Sequence, residues 1–323
     1  MNRFASAFAD KLDAMLEYRV ACGFKKDSHL RNLLKFDAFC FEHFQDASAL
    51  NHEIVHSWLD NETKLGYGFN GIAGSIRQFG KYLNAIGEDA YVLPEKFGHH
   101  VNRLIPYILT DTELSALFAS IDKLPTDNAE PFLAEIAPVL FRLIYTCGLR
   151  PNEGREILHS NINHDTGEVL IDHTKRNKER IVVMSDEMLA MCREYDFRRG
   201  VFSKGNPYYF PSNSGSAFTA PKLYKILNTA WFNAACSPQN PIPRPIRVYD
   251  LRHRFASACL NRWLDNGENL MAMLPYLRSF MGHSNLSETA YYIHLLPENL
   301  VKSAGIDWVK LNALLPEVDV WLS

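Results

Sequence analysis

The residues best suited to chemistry lie in one short stretch near the end of the chain, residues 281–294. It reads Met-Gly-His-Ser-Asn-Leu-Ser-Glu-Thr-Ala-Tyr-Tyr-Ile-His and contains His283 and the adjacent pair Tyr291 and Tyr292. A buried helix end followed by a polar turn would explain Gly282 and His283 without any chemistry. A phenol held close to an imidazole could instead act as a nucleophile on an anionic substrate. That second interpretation requires positive charge elsewhere in the chain.

Arginines and a lysine stand upstream, where a fold could gather them around the phenol. Arg150 ends the sequence Cys-Gly-Leu-Arg at a predicted helix start, although alone it would be an ordinary surface arginine. Lys175 lies in a predicted hairpin turn, and Arg252 lies in Tyr-Asp-Leu-Arg-His at another predicted helix start. Guanidinium groups stay protonated and bind anionic oxygens in planar, bidentate geometry, so this set favours an anionic substrate.

Length and composition narrow the class of protein. A chain of 323 residues suggests two domains, and a hydrophobic content of 47% supports sizeable cores. No apolar run approaches the roughly 20 residues needed to span a bilayer, and Asp10 precedes any secretory apolar segment. We therefore expect a cytoplasmic protein without membrane contact. The net charge of −3 argues mildly against nucleic acid, but a whole-chain sum can hide a basic face.

The sequence predicts neither a metal nor another cofactor. The cysteines are scattered without a C-x-x-C pair, which argues against structural zinc and against a disulfide framework. His99 and His100 are interpreted as a solvated pair or a DNA-backbone contact, because no partner with ligand spacing lies nearby. We find no acidic triplet for Mg²⁺ and expect no metal-ligand cluster.

Hydrophobic periodicity predicts a mainly α protein with a small β-sheet (α+β). A helical first domain, residues 1–100, has predicted helices over 4–22, after an Asp27-Ser28 cap, over 51–65 and over 69–85, and a linker covers 88–107. The second domain, residues 101–300, opens at Thr110-Asp-Thr-Glu113, which has capping-box spacing. Its predicted elements are a helix over 131–147, a β-hairpin over 168–184 and helices over 186–196, 221–236, 249–264, 270–281 and 286–296. An apolar tail covers 301–323.

Five ordered motifs in residues 107–300 resemble the tyrosine recombinase (phage integrase) family, and within it the Xer-like site-specific recombinases. They are G-L-R-x-x-E, T-K-x-N-K-E-R in the hairpin, L-R-H, G-H-S-x-L-S-x-T and a following tyrosine. The first hundred residues carry none of these motifs and resemble the family only as a helical core-binding (SAM-like) domain. The resemblance implies a catalytic second domain that cleaves and rejoins DNA at specific sites, in the service of a mobile element.

The resemblance assigns a role to each residue of the site. Arg150 and Arg252 would bind the scissile phosphate, and Lys175 would protonate the 5′-hydroxyl leaving group, with Lys178 as the alternative. His283 would hydrogen-bond the phosphate or the phenol. The supporting residues are Glu153, which would orient side chains, and His253.

The spacing of the family motif selects Tyr292 as the nucleophile. Tyr292 stands nine residues after His283, three after Thr289 and two before His294. On a helix Tyr291 would point about 100° away, which suits packing. The family mechanism implies a 3′-phosphotyrosyl intermediate on Tyr292, resealed by a 5′-hydroxyl of the partner duplex without ATP or metal.

One departure from the family bears on proton transfer. The usual H-x-x-R begins here with Tyr249, and a phenol with an ordinary pKa near 10 is a poor proton acceptor at neutral pH. His283 is then the substitute base. The departure and the acidic charge balance keep one alternative open, a catalytically weak accessory DNA-binding subunit. A type IB topoisomerase-like enzyme, which would share the phenol and the arginines, is a second alternative.

The expected partner is double-stranded DNA, clamped between the two domains. The resemblance further implies a homo-oligomer on DNA, a tetramer in the synapse, with partner recombinases as a further possibility. The tail would dock on a neighbouring protomer or on its own core. The candidate DNA contacts, each of which could equally be a solvated surface charge, are Lys25, Lys26, Arg77, Lys81, Arg176, Arg180, Arg244, Arg247 and Arg254.

Overall fold

The computed structural model divides into two compact units, Met1–Leu104 and Ile105–Ser323. None of the described helices is both long enough and apolar enough to cross a membrane. The described residues are 3–24, 27–64, 69–95, 97, 106–126, 130–172, 179–236 and 242–295.

The first unit is a helical bundle around an aromatic core. Its helices are α1 (Ala9–Ala21), α2 (Asp27–His43), α3 (His52–Lys64) and α4 (Phe69–Ala85). The rings of Phe8, Phe36, Trp58 and Phe79 are each at most 1% exposed and pack together in the centre. The predicted start of the first helix at residue 4 is wrong, because Asp37 accepts the backbone N–H groups of Ala5 and Ser6 and holds them outside the helix.

The second unit contains the remaining elements. They are α5 (Asp111–Ile121), α6 (Leu133–Thr146), α7 (Pro151–Glu156), a 3₁₀ turn (His159–Asn161), β1 (Glu168–Ile171), β2 (Arg180–Val183), α8 (Asp186–Phe202), α9 (Ala220–Ala235), α10 (Val248–Asp265), α11 (Leu270–Met281), α12 (Leu286–Ala290) and a second 3₁₀ turn (Tyr291–Leu295). The predicted capping box is confirmed: Thr110 and Glu113 each bind the other's backbone N–H with a side-chain oxygen.

The predicted α+β class is confirmed by a small antiparallel sheet. β1 pairs with β2 in a register that sets Glu168 opposite Val183 and Ile171 opposite Arg180. Ile171 and Val182 are buried, whereas Ile181 and Val183 on the outer face are more than half exposed. Both predicted hairpin lysines, Lys175 and Lys178, lie outside the described residues.

Two predicted helix ends differ from the structure for tertiary reasons. α8 continues to Phe202, beyond the predicted end at residue 196, because the buried Arg199 donates to the carbonyl oxygens of Asn206, Tyr208 and Tyr209. The predicted helix over 286–296 is α-helical only to Ala290 and then tightens to 3₁₀ geometry. A 3₁₀ turn rotates consecutive side chains by about 120°.

The last elements of the described chain form a separate hydrophobic cluster. It joins α10 through Leu260, α11 through Leu274 and Met281, and the final 3₁₀ turn through Tyr292 and Ile293. Each of these side chains is at most 2% exposed. The candidate nucleophile is therefore set in a packed cluster, while its neighbour Tyr291 is only partly buried.

Candidate active site

The site is built on the C-terminal end of α11. Gly282 follows this helix with φ +65°, a left-handed conformation that glycine adopts without a side-chain penalty. Its N–H donates to the Ser279 carbonyl at 3.1 Å, and the N–H of His283 donates to the Arg278 carbonyl at 3.0 Å. The last carbonyl groups of a helix have no partner within the helix, so those of residues 280–282 are open to other donors.

Three arginines from three different elements bind these consecutive carbonyls. Arg180 of β2 donates from Nε to Phe280 O at 2.9 Å. Arg252 of α10 donates from Nη2 to Met281 O at 2.7 Å, and Arg150, just before α7, donates from Nη2 to Gly282 O at 2.7 Å. A helix C-terminus carries partial negative charge, which stabilises cations placed there. The chain thus gathers three guanidinium groups at one helix end.

Glu153 neutralises two of these arginines. Its carboxylate, whose side chain is 6% exposed, accepts from Arg150 Nη1 at 2.7 Å and from Arg180 Nη1 and Nη2 at 3.0 and 2.7 Å. Burial alone would raise the pKa of Glu153, but hydrogen bonds and charge from Arg180 and Arg150 outweigh it and lower the pKa to about 2. Glu153 is therefore an anion at neutral pH, as its predicted orienting role requires.

The two predicted catalytic arginines differ in their surroundings. Arg252 is 0% exposed and donates a second bond to Gly148 O at 2.6 Å. Burial lowers the pKa of Arg252. Burial also acts to lower the pKa of Arg150, but Glu153 and Tyr249 outweigh it and the pKa is raised. The side chain of Arg150 is 26% exposed, so Arg150 is the more accessible cation of the pair.

A close backbone approach makes the Arg252 contact possible. Gly148 has φ +56°, and a Cβ built there would come within 2.5 Å of the Phe255 ring. A side chain at this position would force the chain away from α10. Gly148 of the G-L-R motif therefore positions the carbonyl that holds Arg252, in addition to preceding Arg150.

His283 and Tyr292 lie beside this cation cluster. The rings are 5.9 Å apart between centroids and nearly parallel, and His283 Nδ1 is 2.8 Å from Thr289 Oγ1. Burial, followed by the charges of Arg252 and Arg150, lowers the pKa of His283 to about 3. Burial raises the pKa of Tyr292 to about 12, although Arg252 opposes the shift. At neutral pH both groups are uncharged.

His253 and Tyr249 complete the cluster on the α10 side. The His253 ring lies 5.4 Å from the Tyr292 ring and 5.0 Å from the Tyr249 ring. Burial lowers the pKa of His253 to about 4, and its Nδ1 has no hydrogen-bond partner among the described residues. The sequence indicated only a supporting role for His253, yet its ring is at least as close to the phenol as that of His283.

Sequence reasoning missed two contributors to the site. Thr289 binds His283, and Arg278 donates to the carbonyls of His283 and Ser284, so both hold the loop after α11. A cleft of about 340 Å³ opens beside them and is lined in part by Arg180 and Gly282. The G-H-S-x-L-S-x-T motif contains Thr289, so its fixed place after His283 was the signal that could have identified it.

The predicted DNA contacts that the structure describes already have protein partners or lie at the surface. Arg77 donates to the carbonyls of Leu93 and Pro94, and Lys81 pairs with Glu95. Arg247 pairs with Asp250, and Arg244 is exposed. Lys25, Lys26 and Arg176 lie outside the described residues.

Arg180 and Arg254 are the two predicted contacts that lie deepest. Each side chain is only 10% exposed and bound to a carboxylate, that of Glu153 and that of Asp111 respectively. Arg180 donates from all three of its side-chain nitrogens, to the Phe280 carbonyl and to Glu153, so it cannot bind a DNA phosphate without giving up a partner. For Arg180 the placement favours a structural role, and the predicted contact of Arg254 with DNA stays a prediction.

The structure brings together one group of potential metal ligands that the sequence did not predict. His159, His164 and Asp196 bring one ligand atom each within 4.8 Å of one another. No sequence pattern predicts this group, because Asp196 belongs to a different element from the two histidines. The pair His99 and His100 lies outside the described residues.

Known proteins resemble this chain in sequence. The y4rB protein of Sinorhizobium fredii (strain NBRC 101917 / NGR234) is 25% identical over 320 residues, which cover 93% of this chain and 96% of that protein. The tyrosine recombinase XerD of Rhizobium meliloti (strain 1021) is 28% identical over 238 residues, which cover 70% of this chain and 69% of that protein.

Solved structures resemble it in fold. XerH recombinase in a post-cleavage complex with its palindromic difH substrate gives a TM-score of 0.63 at 20% identity, covering 88% of this chain and 80% of that one. The Tn1549 transposon integrase in complex with transposon right end DNA gives a TM-score of 0.62 at 13% identity, covering 93% of this chain and 98% of that one. A lambda integrase tetramer bound to a Holliday junction gives a TM-score of 0.58 at 13% identity, covering 88% of this chain and 76% of that one.

The family assignment rests on the second unit. Residues 108–299 match the phage integrase family, and this range is more than half of the 323-residue chain. It includes every described residue of the cation cluster together with His283 and Tyr292. The chain therefore belongs to the phage integrase family.

Proposed function

We propose that this chain is a site-specific DNA recombinase that cleaves and rejoins DNA through a 3′-phosphotyrosyl intermediate on Tyr292, in the service of a mobile element. The observation that carries the proposal is the convergence of Arg150, Arg180 and Arg252 on the last carbonyls of α11, beside His283 and Tyr292. Glu153 balances only part of the charge of the three arginines, which leaves the cluster suited to bind a further anion, and membership of the phage integrase family supports a DNA phosphate as that anion.

The cation cluster is suited to the charge that develops during phosphoryl transfer. Guanidiniums fixed before the reaction stabilise the negative oxygens of the transition state without reorganising. Of Arg150 and Arg252, Arg150 is the more accessible. Arg252 keeps one buried donor, Nε, without a hydrogen-bond partner in the described part of the chain. Arg180 is tied to Glu153 and serves as a positioning residue that fixes Glu153 under Arg150.

The proposed step forms one bond and breaks one. Tyr292 Oη attacks the phosphorus, the bond from phosphorus to the 5′ oxygen breaks, and the leaving oxygen takes up a proton. Lys175 is the proposed donor of that proton. A 5′-hydroxyl of the partner duplex then attacks the phosphotyrosine and restores a phosphodiester, so the bond energy is retained and no nucleotide hydrolysis is required.

The phenol proton needs an acceptor, and two imidazoles are near enough to compete for it. His283 and His253 are both neutral at pH 7, because burial lowers their pKa values to about 3 and about 4. A weak base accepts a proton poorly. A bound phosphate would offset the arginine charges that contribute to both shifts, so substrate binding itself would raise the basicity of the two imidazoles.

The proposed partner is duplex DNA, and the proposed active assembly is a tetramer on two duplexes. Two of the solved relatives are DNA complexes of a recombinase and a transposon integrase, and a third is a tetramer on a Holliday junction. The apolar tail after residue 300 is the proposed contact between neighbouring protomers.

The test is to capture and sequence DNA that becomes covalently attached to the protein in bacterial cells carrying candidate mobile elements. The wild-type chain should yield adducts at one recurrent sequence. Tyr292→Phe should yield none, and the matched control Tyr291→Phe should retain them. Adducts that persist in Tyr292→Phe would contradict the proposal.

Tyr249 supports a second candidate, an accessory subunit that binds DNA without cleaving it. It replaces the usual histidine next to Arg150 and Arg252. If the wild-type protein bound one DNA sequence tightly and formed no adduct, even on a nicked suicide substrate carrying that sequence, the accessory role would stand and the catalytic proposal would fall.

A further inference from the structure

A second group of ligand-type side chains lies outside the cation cluster. His159 Nε2 is 2.9 Å from Asp196 Oδ1, and His164 Nε2 is 3.8 Å from Asp196 Oδ2. Both ring nitrogens of His164 are buried, and neither has a hydrogen-bond partner among the described residues. Buried polar atoms are normally satisfied, so an imidazole buried in this way needs an explanation.

The backbone holds the three side chains in place. The N–H of His159 donates to Pro207 O at 2.8 Å. His164 lies in a turn fixed by Asn163, whose side-chain oxygen accepts the N–H groups of Asp165 and Thr166 at 2.9 and 3.1 Å. Asp196 lies inside α8. The fold therefore holds the backbone of the three residues in place before any ligand binds.

We propose that His159, His164 and Asp196 bind a divalent transition metal ion, best fitted by Zn²⁺. Zinc binds imidazole nitrogen and carboxylate oxygen at about 2.0–2.2 Å, so two ligand atoms of a tetrahedral site lie about 3.3–3.5 Å apart. The separations of 2.9 and 3.8 Å involve the two different oxygens of Asp196, and one ligand atom from each of the three residues lies within 4.8 Å of the others. Side-chain rotations that shorten the longer separations would complete the site, with water as a fourth ligand.

The neighbouring charges are mixed. Asp165 and Asp196 supply two carboxylates, and Arg193 supplies one opposing guanidinium, which is bound to the carbonyls of His164 and Asp165. The buried ring of Tyr209 lies 6.0 Å from His159 and 5.8 Å from His164 and covers one side.

Such an ion would brace the second unit. His159 and His164 flank the segment that leads into β1, where Ile162 bridges to Val169, and Asp196 belongs to α8. A bound ion would therefore cross-link the base of the hairpin to α8. Because a ligand that binds only the folded state stabilises it, Zn²⁺ should raise the melting temperature.

The test is titration of the full chain, stripped of metal by a chelator, with ZnCl₂, followed by calorimetry and thermal melting. The exposed thiols Cys22 and Cys236 can also bind zinc, so the protein is used in a Cys22→Ser, Cys236→Ser background. One ion per chain and a raised melting temperature are expected. His164→Ala should weaken binding by more than the roughly 10- to 100-fold that loss of an outer-shell partner costs.

His43→Ala is the matched control, because His43 is an exposed histidine that lies 3.8 Å from Glu42 and belongs to the first unit, so its loss should leave zinc binding unchanged. If His164→Ala does not fold, Asp196→Asn tests the same site. Equal zinc affinity in wild type and in the folded site variant, or a cobalt spectrum with thiolate-to-metal absorption, would overturn the proposal.

Discussion

The aromatic core of the first unit and the arginine cluster of the second are both buried, but the core consists of apolar rings and the cluster of charged side chains. In the first unit Phe36 contacts the rings of Phe8, Trp58 and Phe79 at centroid distances of 5.2–6.0 Å. In the second unit Arg252, equally unexposed, is held by two backbone carbonyls. The aromatic core removes apolar surface from water, whereas the arginine cluster removes a charge from water.

The difference shows what each region contributes. Burial of aromatic rings stabilises the fold directly, and their edge-to-face pairing adds to it. A buried guanidinium is costly to desolvate, so a helix end and a buried carboxylate must compensate for it. At the arginine cluster, stability is thus given up for preformed positive charge. Variants of the aromatic core should therefore lose stability, whereas variants of the arginine cluster should lose activity.

The largest effect on stability is expected for Phe36→Ala. Removing a ring that contacts three others should lower the free energy of unfolding of the first unit by about 3–5 kcal/mol. Phe41→Ala, on the same helix but 50% exposed, should change it by less than about 0.5 kcal/mol. Urea denaturation followed by circular dichroism measures both. Equal losses in the two variants would remove the aromatic core as the source of stability.

Arg252→Met should show the opposite pattern. Loss of this fixed cation should slow DNA adduct formation about 10²–10³-fold. The free energy of unfolding should fall less than in Phe36→Ala, because the desolvation cost of the charge disappears with it. Arg262→Met, at an exposed position of the same helix α10, should retain the wild-type rate. An Arg252→Met protein that cleaves normally would show that the buried cation has no role in the chemistry.

The smallest effect per residue is a pH dependence of the stability of the second unit. The pKa values of His283 and His253 are lowered from 6.5 to about 3 and about 4, so below pH 6.5 the unfolded chain binds protons that the folded chain does not. Stability is therefore complete above pH 6.5 and falls as the pH drops. At pH 5 the loss should reach up to about 2 kcal/mol per imidazole.

A His253→Gln, His283→Gln double variant isolates this contribution. Its urea midpoint should change less than that of the wild type between pH 7 and pH 5. His56→Gln, which removes a histidine of the first unit whose pKa is also lowered by burial, should retain the pH dependence of the second unit. An unchanged pH slope in the double variant would contradict the buried, neutral state of the two imidazoles.

The sequence predicted the elements well and their ends less well. α4 was predicted over its full span, since its apolar residues recur at helical spacing and Gly87 follows it. The longer α8 was not, because Arg199 stabilises its last turn through loop carbonyls that no local pattern reveals. Local periodicity fixes where helices form, while tertiary hydrogen bonds decide where some of them end.

The site was predicted as a set of residue types but not as a geometry. Motif spacing identified Arg150, Arg252, His283 and Tyr292, which the fold gathers around the end of α11. It did not reveal that the carbonyls of residues 280–282 would bind the arginines, because backbone acceptors have no sequence signature. The pairing of Arg180 with Glu153 could not be predicted either, because the two residues belong to different elements.

The most direct measurement of the central claim is identification of the residue that carries DNA. The covalent complex formed by the wild-type chain is digested with nuclease and trypsin, and the peptide bearing a nucleotide is fragmented by mass spectrometry. The nucleotide is predicted on Tyr292 within residues 279–302, bound through phosphorus to the phenolic oxygen. A nucleotide on Tyr291 or on Tyr249 would contradict the account.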